Sequence, residues 1–93
     1  MYQYNEDEIN EVQEKYFQKV NQLSLIRLPK KLKQKYLCMV IIQSLFDSKQ
    51  VYTEKQVNEI LKPVYMDYVM LRRFLIDFNL LNRENDGSKY WID

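Results

Sequence analysis

The cationic side chains are the part of this sequence best suited to binding chemistry. Arg72 and Arg73 are adjacent in an otherwise apolar segment, and five more cations lie around residue 30: Arg27, Lys30, Lys31, Lys33 and Lys35. Arginine and lysine donate hydrogen bonds to phosphate oxygens, and arginine also pairs with guanine edges. These cations could therefore contact a nucleic acid. The group around residue 30 equally fits the solvated first turn of a helix that begins after Pro29.

Catalytic and metal chemistry lack their usual residues in this chain. The sequence has no histidine, one cysteine and one glycine. Without histidine there is no Ser-His-Asp or Cys-His nucleophile pair, and a single thiol cannot build a multi-cysteine metal site. One glycine cannot form a glycine-rich phosphate loop. We therefore expect a protein that is not an enzyme, with no catalytic residues, no metal and no small-molecule cofactor, in which Cys38 is an unreactive core residue.

Length and composition indicate one small folded domain. The chain has 93 residues, of which 46% are hydrophobic, so a disordered chain is not expected. No apolar run approaches the ~20 residues needed to span a bilayer. The acidic, amphipathic N-terminal segment differs from a signal or transit peptide, and a single cysteine suits the reducing cytoplasm. We expect a cytoplasmic protein with no membrane contact.

Charge is unevenly distributed along the chain, although its net value is only +1. Residues 1–24 carry five acids and two bases, residues 25–49 carry six bases and one acid, and residues 50–93 carry six bases and seven acids. Proteins that bind DNA without sequence preference usually present a more basic face than this. The charge balance therefore leaves a protein partner open as well as DNA.

Two short helices are predicted in the second half of the chain. Thr53 and Gln56 have the spacing of a capping box, and Pro63 ends the helix that they begin. The next helix is expected over residues 67–79, with Asp67 as its N-cap.

A β-hairpin is predicted after these helices. Asn79 suits the left-handed residue that often ends a helix. An Asn-Asp-Gly-Ser turn then separates strands over residues 81–84 and 89–92. The order of helix, turn, helix and hairpin is that of a winged helix, a scaffold that often holds one helix against nucleic acid.

The first half of the chain is expected to form two further helices. The first covers residues 5–23, and an apolar stripe along it is formed by Ile9, Val12, Tyr16, Val20 and Leu23. This stripe either caps its own domain or pairs with a second copy of the chain. After an extended link over residues 24–28, a helix over residues 30–46 is apolar on most of its circumference, so we expect it at the centre of the fold.

These elements together predict a mainly α fold with a small β-hairpin, in the α+β class. The predicted architecture is a winged helix-turn-helix with an N-terminal helical extension. Residues 1–27 form the amphipathic helix and link, and residues 28–93 form the winged-helix-like domain. We expect both parts to pack as one globular unit.

Several segments, taken together, resemble the bacterial domain-of-unknown-function family 2087. The segments are LPK at 28–30, YTEKQVNEIL at 52–61, LRR at 71–73 and GSKYW at 87–91. The resemblance covers about residues 28–91 and leaves the N-terminal helix outside. It implies a winged-helix-like fold and a regulatory role, and it carries over no catalytic residue. Asn79 departs from the glycine usual in the family, and Leu32 stands where a charged residue is more common.

A DNA-binding winged helix would place the helix over residues 67–79 in the major groove. Its apolar residues assign one face to the core, which leaves Val69, Arg73 and Ile76 pointing outward. The partner would then be double-stranded DNA, and the protein would act as a transcriptional regulator. The expected nucleic-acid contacts are Arg72, Arg73, Lys30, Lys31, Lys33, Lys55, Lys89 and Tyr90.

The alternative is a protein-interaction or dimerisation module with the same fold that does not bind DNA. Arg73 can pair with Asp77 four residues later, and Arg72 can bridge to an acid of another element. Outward apolar side chains also suit a protein contact, with a homodimer as one outcome. The expected interface residues are Ile9, Val12, Tyr16, Val20, Val69, Met70 and Ile76.

Overall fold

The computed structural model describes residues 2–93, which form four helices and two antiparallel strand pairs. In chain order the elements are α1 (Glu6–Tyr16), β1 (Phe17–Lys19), β2 (Leu23–Leu25), α2 (Leu32–Gln43), α3 (Glu54–Leu61), α4 (Tyr68–Asp77), β3 (Asn82–Arg83) and β4 (Tyr90–Trp91). The α+β class expected from the sequence is confirmed. Within the described range, no helix is long and apolar enough to cross a bilayer.

Helix α2 lies at the centre of the fold, as its apolar circumference predicts. Cys38, Met39 and Ile42 are all 0% exposed, and α1 and α4 both pack against this helix. Burial raises the pKa of the Cys38 thiol to about 12, which agrees with an unreactive core residue. The helix is shorter than the predicted 30–46, because residues 44–46 turn away through hydrogen bonds to the carbonyls of Ile41, Ile42 and Gln43.

Helix α1 ends earlier than predicted. The expected helix over residues 5–23 stops at Tyr16, and Phe17 is already extended, with φ −123° and ψ 152°. Strand β1 then pairs with β2 in the register Phe17↔Leu25 and Lys19↔Leu23. Part of the predicted extended link over residues 24–28 is thus in strand β2. Val20, assigned to the apolar stripe, lies between the strands and is 85% exposed, so that assignment is wrong.

Contacts with distant parts of the chain explain this change of structure. Phe17, Leu23 and Leu25 are all buried, so the strand pair covers the core with one face. The Leu25 amide donates to the Val64 carbonyl at 2.7 Å, which fixes β2 against the link between α3 and α4. Continued helix would have placed Val20 toward the core but would have lost these contacts.

Helix α1 covers the core of its own chain. Asn5 caps its start in a capping box with Glu8, and Val12 and Tyr16 are each 5% exposed. Ile9 is half-buried against the same core. The sequence left open whether the stripe caps its own domain or pairs with a second copy. Ile9, Val12 and Tyr16 pack against the core of their own chain, as in the first alternative.

The local signals of the second half are confirmed. The Thr53 side chain accepts from the Gln56 amide in a complete capping box, and the Asp67 carboxylate accepts from the Met70 amide at 3.1 Å. Asn79 has the expected left-handed backbone, with φ 60°. The hairpin pairs β3 with β4 around a turn that contains Gly87, with φ 75°.

Tyr52 attaches the hairpin to the link between α2 and α3. Its amide donates to the Tyr90 carbonyl at 2.7 Å, and the Tyr90 amide donates back at 2.8 Å. The two residues form an antiparallel bridge between Tyr52 and strand β4. The Tyr52 ring also packs edge-to-face on Phe46. The hairpin is consequently held to the helices by backbone hydrogen bonds as well as by burial.

The position of α1 predicts different effects for two valine substitutions. We expect Val12→Ala to lower the free energy of unfolding by about 2 kcal/mol, because it removes buried methyl groups and leaves a cavity. Val20→Ala is the matched control, since the same methyl groups are exposed there, and it should change stability little. Urea denaturation followed by circular dichroism measures both. Equal effects would contradict the docking of α1 and the exposure of Val20.

Candidate functional site

A groove of about 300 Å³ between α4 and the hairpin brings together several of the predicted contact residues. Leu71 and Leu75 of α4 are 0% exposed, so the opposite face of this helix points outward. That face forms one wall of the groove, and the hairpin forms the other. The lining residues are Val69, Arg72, Arg73, Ile76, Asp77, Arg83 and Tyr90.

Arg72 lines the groove but is engaged with α3. Its Nη1 lies 3.1 Å from Glu54 Oε1 and also donates to Asn58 Oδ1. The Arg72 side chain is 19% exposed, against 48% for Glu54. The sequence left open whether Arg72 contacts nucleic acid or bridges to an acid of another element. In this structure it makes the bridge, and it thereby connects α3 to α4.

Arg73 is exposed on the outer face of α4. The predicted pairing of Arg73 with Asp77 is not formed, because the ion pairs between residues 2–93 are Lys33–Glu8 and Arg72–Glu54. Both Arg73 and Asp77 line the groove instead. The groove therefore contains an arginine that is not neutralised within the described chain.

Arg83 is a groove residue that the sequence reasoning missed. Its Nε donates to the Glu84 carbonyl and its Nη2 to the Asn85 carbonyl, each at 3.1 Å. The guanidinium also lies over the Tyr90 ring, 6.0 Å from its centroid. These contacts hold the cation against the hairpin. The predicted turn implies that Arg83 pairs with Tyr90, and this pairing is present. The hairpin register could therefore have identified Arg83 as a neighbour of the predicted contact Tyr90.

Tyr90 was expected to contact nucleic acid from the surface of the hairpin, but it belongs to the core. Its side chain is 2% exposed, because this position of β4 turns inward and pairs with Tyr52. This burial removes Tyr90 from the accessible contacts and leaves it as part of the groove floor. Lys55 and Lys89, by contrast, are exposed as expected.

The cations around residue 30 do not form one free positive surface. Lys33 pairs with Glu8 of α1 at 2.7 Å. Arg27 lies over the Tyr16 ring at 5.2 Å, and Lys35 lies over the Phe74 ring at 5.6 Å. Lys30 and Lys31 are exposed. None of these five residues lines the groove beside α4. Lys33 in particular connects α1 to α2, and its expected role as a nucleic-acid contact stays a prediction.

A second cavity, of about 290 Å³, lies between α1 and α2. Its charged lining includes Glu8 and Lys33, which already pair with each other. The hydrogen bond lowers the pKa of Glu8, so its carboxylate remains ionised and paired near neutral pH. The Tyr16 hydroxyl in the same wall donates to Gln34. The polar groups of this cavity thus stabilise the packing of α1.

Apolar side chains are exposed at the start of α4. Met66, just before the helix, is 93% exposed and Val69 is 43% exposed. Met70 and Ile76, also expected on an interface, are only partly exposed and pack against the core. The outer face of α4 therefore combines a small apolar surface with the arginine groove.

Acidic groups flank the same region. Hydrogen bonds from the side chain and amide of Ser88 lower the pKa of Asp86 in the hairpin turn. Asp86 is therefore ionised near neutral pH, and Asp77 in the groove and Glu54 beside Arg72 are further acidic residues. The site therefore contains both positively charged arginines and negatively charged carboxylates.

Comparison with known proteins identifies the family of the chain. Residues 24–92 match the model of a family described as an uncharacterized protein conserved in bacteria (DUF2087). The match covers more than half of the sequence, so the chain belongs to this family. It includes α2, α3, α4 and the hairpin, and it leaves α1 outside. No curated protein and no solved structure matches the chain.

The different environments of the two adjacent arginines predict different effects on stability. We expect Arg72→Ala to lower the free energy of unfolding by about 1 kcal/mol, because Glu54 and Asn58 lose their partner. Arg73→Ala is the matched control and should change stability by less than about 0.5 kcal/mol, because its side chain is exposed. Thermal and urea denaturation of both variants check this. A larger loss at Arg73 would contradict the described contacts.

Proposed function

We propose that this DUF2087 protein is a winged-helix protein that binds double-stranded DNA through α4 and the hairpin, as a transcriptional regulator. The observation that carries the proposal is the convergence of Arg72, Arg73 and Arg83 on one groove between these two elements. We propose binding rather than catalysis, because arginines make up most of the polar lining of the groove.

The order of elements supports the winged-helix assignment. A winged helix places a short strand between its first two helices and pairs that strand with the hairpin after its third helix. Tyr52 occupies this position between α2 and α3, and it bridges to Tyr90 of β4. In this assignment α3 and α4 are the helix-turn-helix, and α4 is the helix presented to the major groove.

The groove chemistry supports contact with the DNA backbone. Guanidinium groups form paired hydrogen bonds with phosphate oxygens, and such contacts set the register of a protein on the duplex. Arg73 is exposed on α4, and Arg83 is held in place on the hairpin. A strand of the backbone passing between α4 and the hairpin would meet both. Lys55 and Lys89 are exposed and could add contacts at the edges.

The acidic neighbours imply that nonspecific affinity is modest. Asp77 lies in the groove and Glu54 beside Arg72. Like charges oppose a phosphate backbone, so the net attraction is smaller than three arginines alone would give. A sequence-dependent contact from the outer face of α4 would then be needed for tight binding.

A second candidate is a protein-docking module, which the exposure of Met66 and Val69 favours. Two neighbouring apolar side chains at the start of α4 would lose water contact against a protein partner. In this case the arginines would form the polar edge of the interface. The patch is small, so it supports a transient partner or a weak dimer.

Fluorescence anisotropy of a labelled random-sequence duplex, titrated at two salt concentrations, tests the DNA proposal. We expect binding at low salt that falls steeply as salt rises, because phosphate contacts release counterions. Arg73→Ala and Arg83→Ala should each weaken binding and reduce the salt slope by about 1. Arg27→Ala is the matched control and should have little effect, because Arg27 lies over Tyr16 outside the groove.

The outcomes separate the two candidates. An equal loss from Arg27→Ala would show that binding is not confined to the groove. A protein that leaves the duplex unbound at low salt contradicts the DNA proposal. If that protein also self-associates in sedimentation experiments, and Val69→Asp abolishes the association, the docking candidate takes its place.

A further inference from the structure

We infer that the groove contains a phosphate subsite formed by Arg72, Arg73 and Arg83, and that Glu54 is its internal competitor. In the free protein the Glu54 carboxylate binds Arg72, and an entering phosphate takes that arginine over. The inference deepens the proposed function, on which it rests, by naming the chemical group that the groove receives. It also assigns to Glu54 a role as the residue that limits the affinity.

Glu54 stands where three elements converge. It is the first residue of α3, and its Oε1 contacts Arg72 of α4 at 3.1 Å. Its Oε2 approaches the hairpin turn, since a Cβ atom added to Gly87 would lie 3.8 Å from it. The same point is 3.4 Å from Arg83 Nη2. The carboxylate therefore contacts Arg72 and approaches the same point of the hairpin turn as the Arg83 guanidinium.

The contact between Glu54 and Arg72 is of a kind that a phosphate can displace. Both recorded contacts of Arg72, to Glu54 and to Asn58, use the same nitrogen, Nη1. The pair is therefore not the two-nitrogen, two-oxygen arrangement in which arginine binds oxyanions most strongly. Ion pairs with an exposed partner also contribute little to stability, and the Glu54 side chain is 48% exposed.

The other two arginines are available to a phosphate without rearrangement. Arg83 is held by the carbonyls of Glu84 and Asn85, so little side-chain freedom is lost when it binds. Gly87 supplies the left-handed turn residue, with φ 75°, next to the Arg83 guanidinium. Arg73 is exposed on the facing wall. An oxyanion bound between Arg73 and Arg83 would also contact Arg72 once Arg72 leaves Glu54.

Neutralising Glu54 should therefore strengthen phosphate binding. A unit charge about 6 Å from the ligand in a mostly aqueous setting changes affinity by about threefold. Glu54→Gln keeps the size of the side chain at a half-exposed position, so the fold should be retained. Glu59→Gln is the matched control, since Glu59 is an exposed glutamate of the same helix that does not line the groove.

Nitrogen-15 NMR of the arginine Nε–Hε groups, during titration with inorganic phosphate, tests this inference. The chain has four arginines, and Arg27 lies over Tyr16 as an internal reference. We expect saturable shifts of Arg73 and Arg83, a shift of Arg72 as it leaves Glu54, and an unchanged Arg27. Glu54→Gln should lower the phosphate Kd about threefold relative to Glu59→Gln. Sodium chloride at matched ionic strength should not reproduce the shifts.

The inference is overturned if all four arginines shift alike, if chloride gives the same shifts, or if Glu54→Gln binds no tighter than Glu59→Gln. A parallel titration with an unlabelled duplex separates this result from the proposed function. Phosphate binding without duplex binding contradicts DNA as the source of the phosphate and supports the subsite. Duplex binding that shifts Arg73 and Arg83 but leaves Arg72 unshifted supports the proposed function and overturns the exchange of Arg72 from Glu54 to phosphate.

Discussion

A helix that is apolar on most of its circumference must be covered on more than one side, and the rest of this structure follows from that requirement on α2. Tyr36, Leu37, Cys38 and Met39 are consecutive, so they point in different directions around the helix, yet each is buried. Helix α1 covers one side and α4 another. The apolar faces of α1 and α4 pack against α2, so only their outer faces remain accessible to a partner. The candidate surface therefore consists of side chains that α4 does not use to contact the core. This is why it combines apolar residues with cations.

The geometry of the groove comes from two independent attachments. Burial of Leu71 and Leu75 fixes the rotation of α4 and turns Arg73 outward. The Tyr52–Tyr90 backbone bridge fixes the hairpin, so Arg83 faces the same groove. Arg72 adds a contact between α3 and α4. Apart from the Arg72–Glu54 pair, such a groove is formed before any ligand arrives, which suits recognition with little further rearrangement.

The features predicted correctly from the sequence are those set by neighbouring residues. The Thr53 cap, the left-handed Asn79 and the hairpin turn depend on local backbone chemistry, and all are present. The errors arose where distant contacts decide. Val20 fits a helical stripe, but strand pairing and the bond from Leu25 to Val64 outweigh it. The ion pair of Arg72 with Glu54 and the burial of Tyr90 likewise depend on how the helices and the hairpin pack together. The spacing of residues along the chain does not determine that packing.

The central proposal is that α4 and the hairpin form a single surface for the DNA backbone. Backbone amide NMR of the labelled protein, with a short unlabelled duplex added at low salt, tests this claim most directly. The account predicts perturbed signals over residues 69–77 of α4 and 82–91 of the hairpin, with α1 unchanged. Perturbation confined to α1 and the start of α2, or no perturbation, would contradict it.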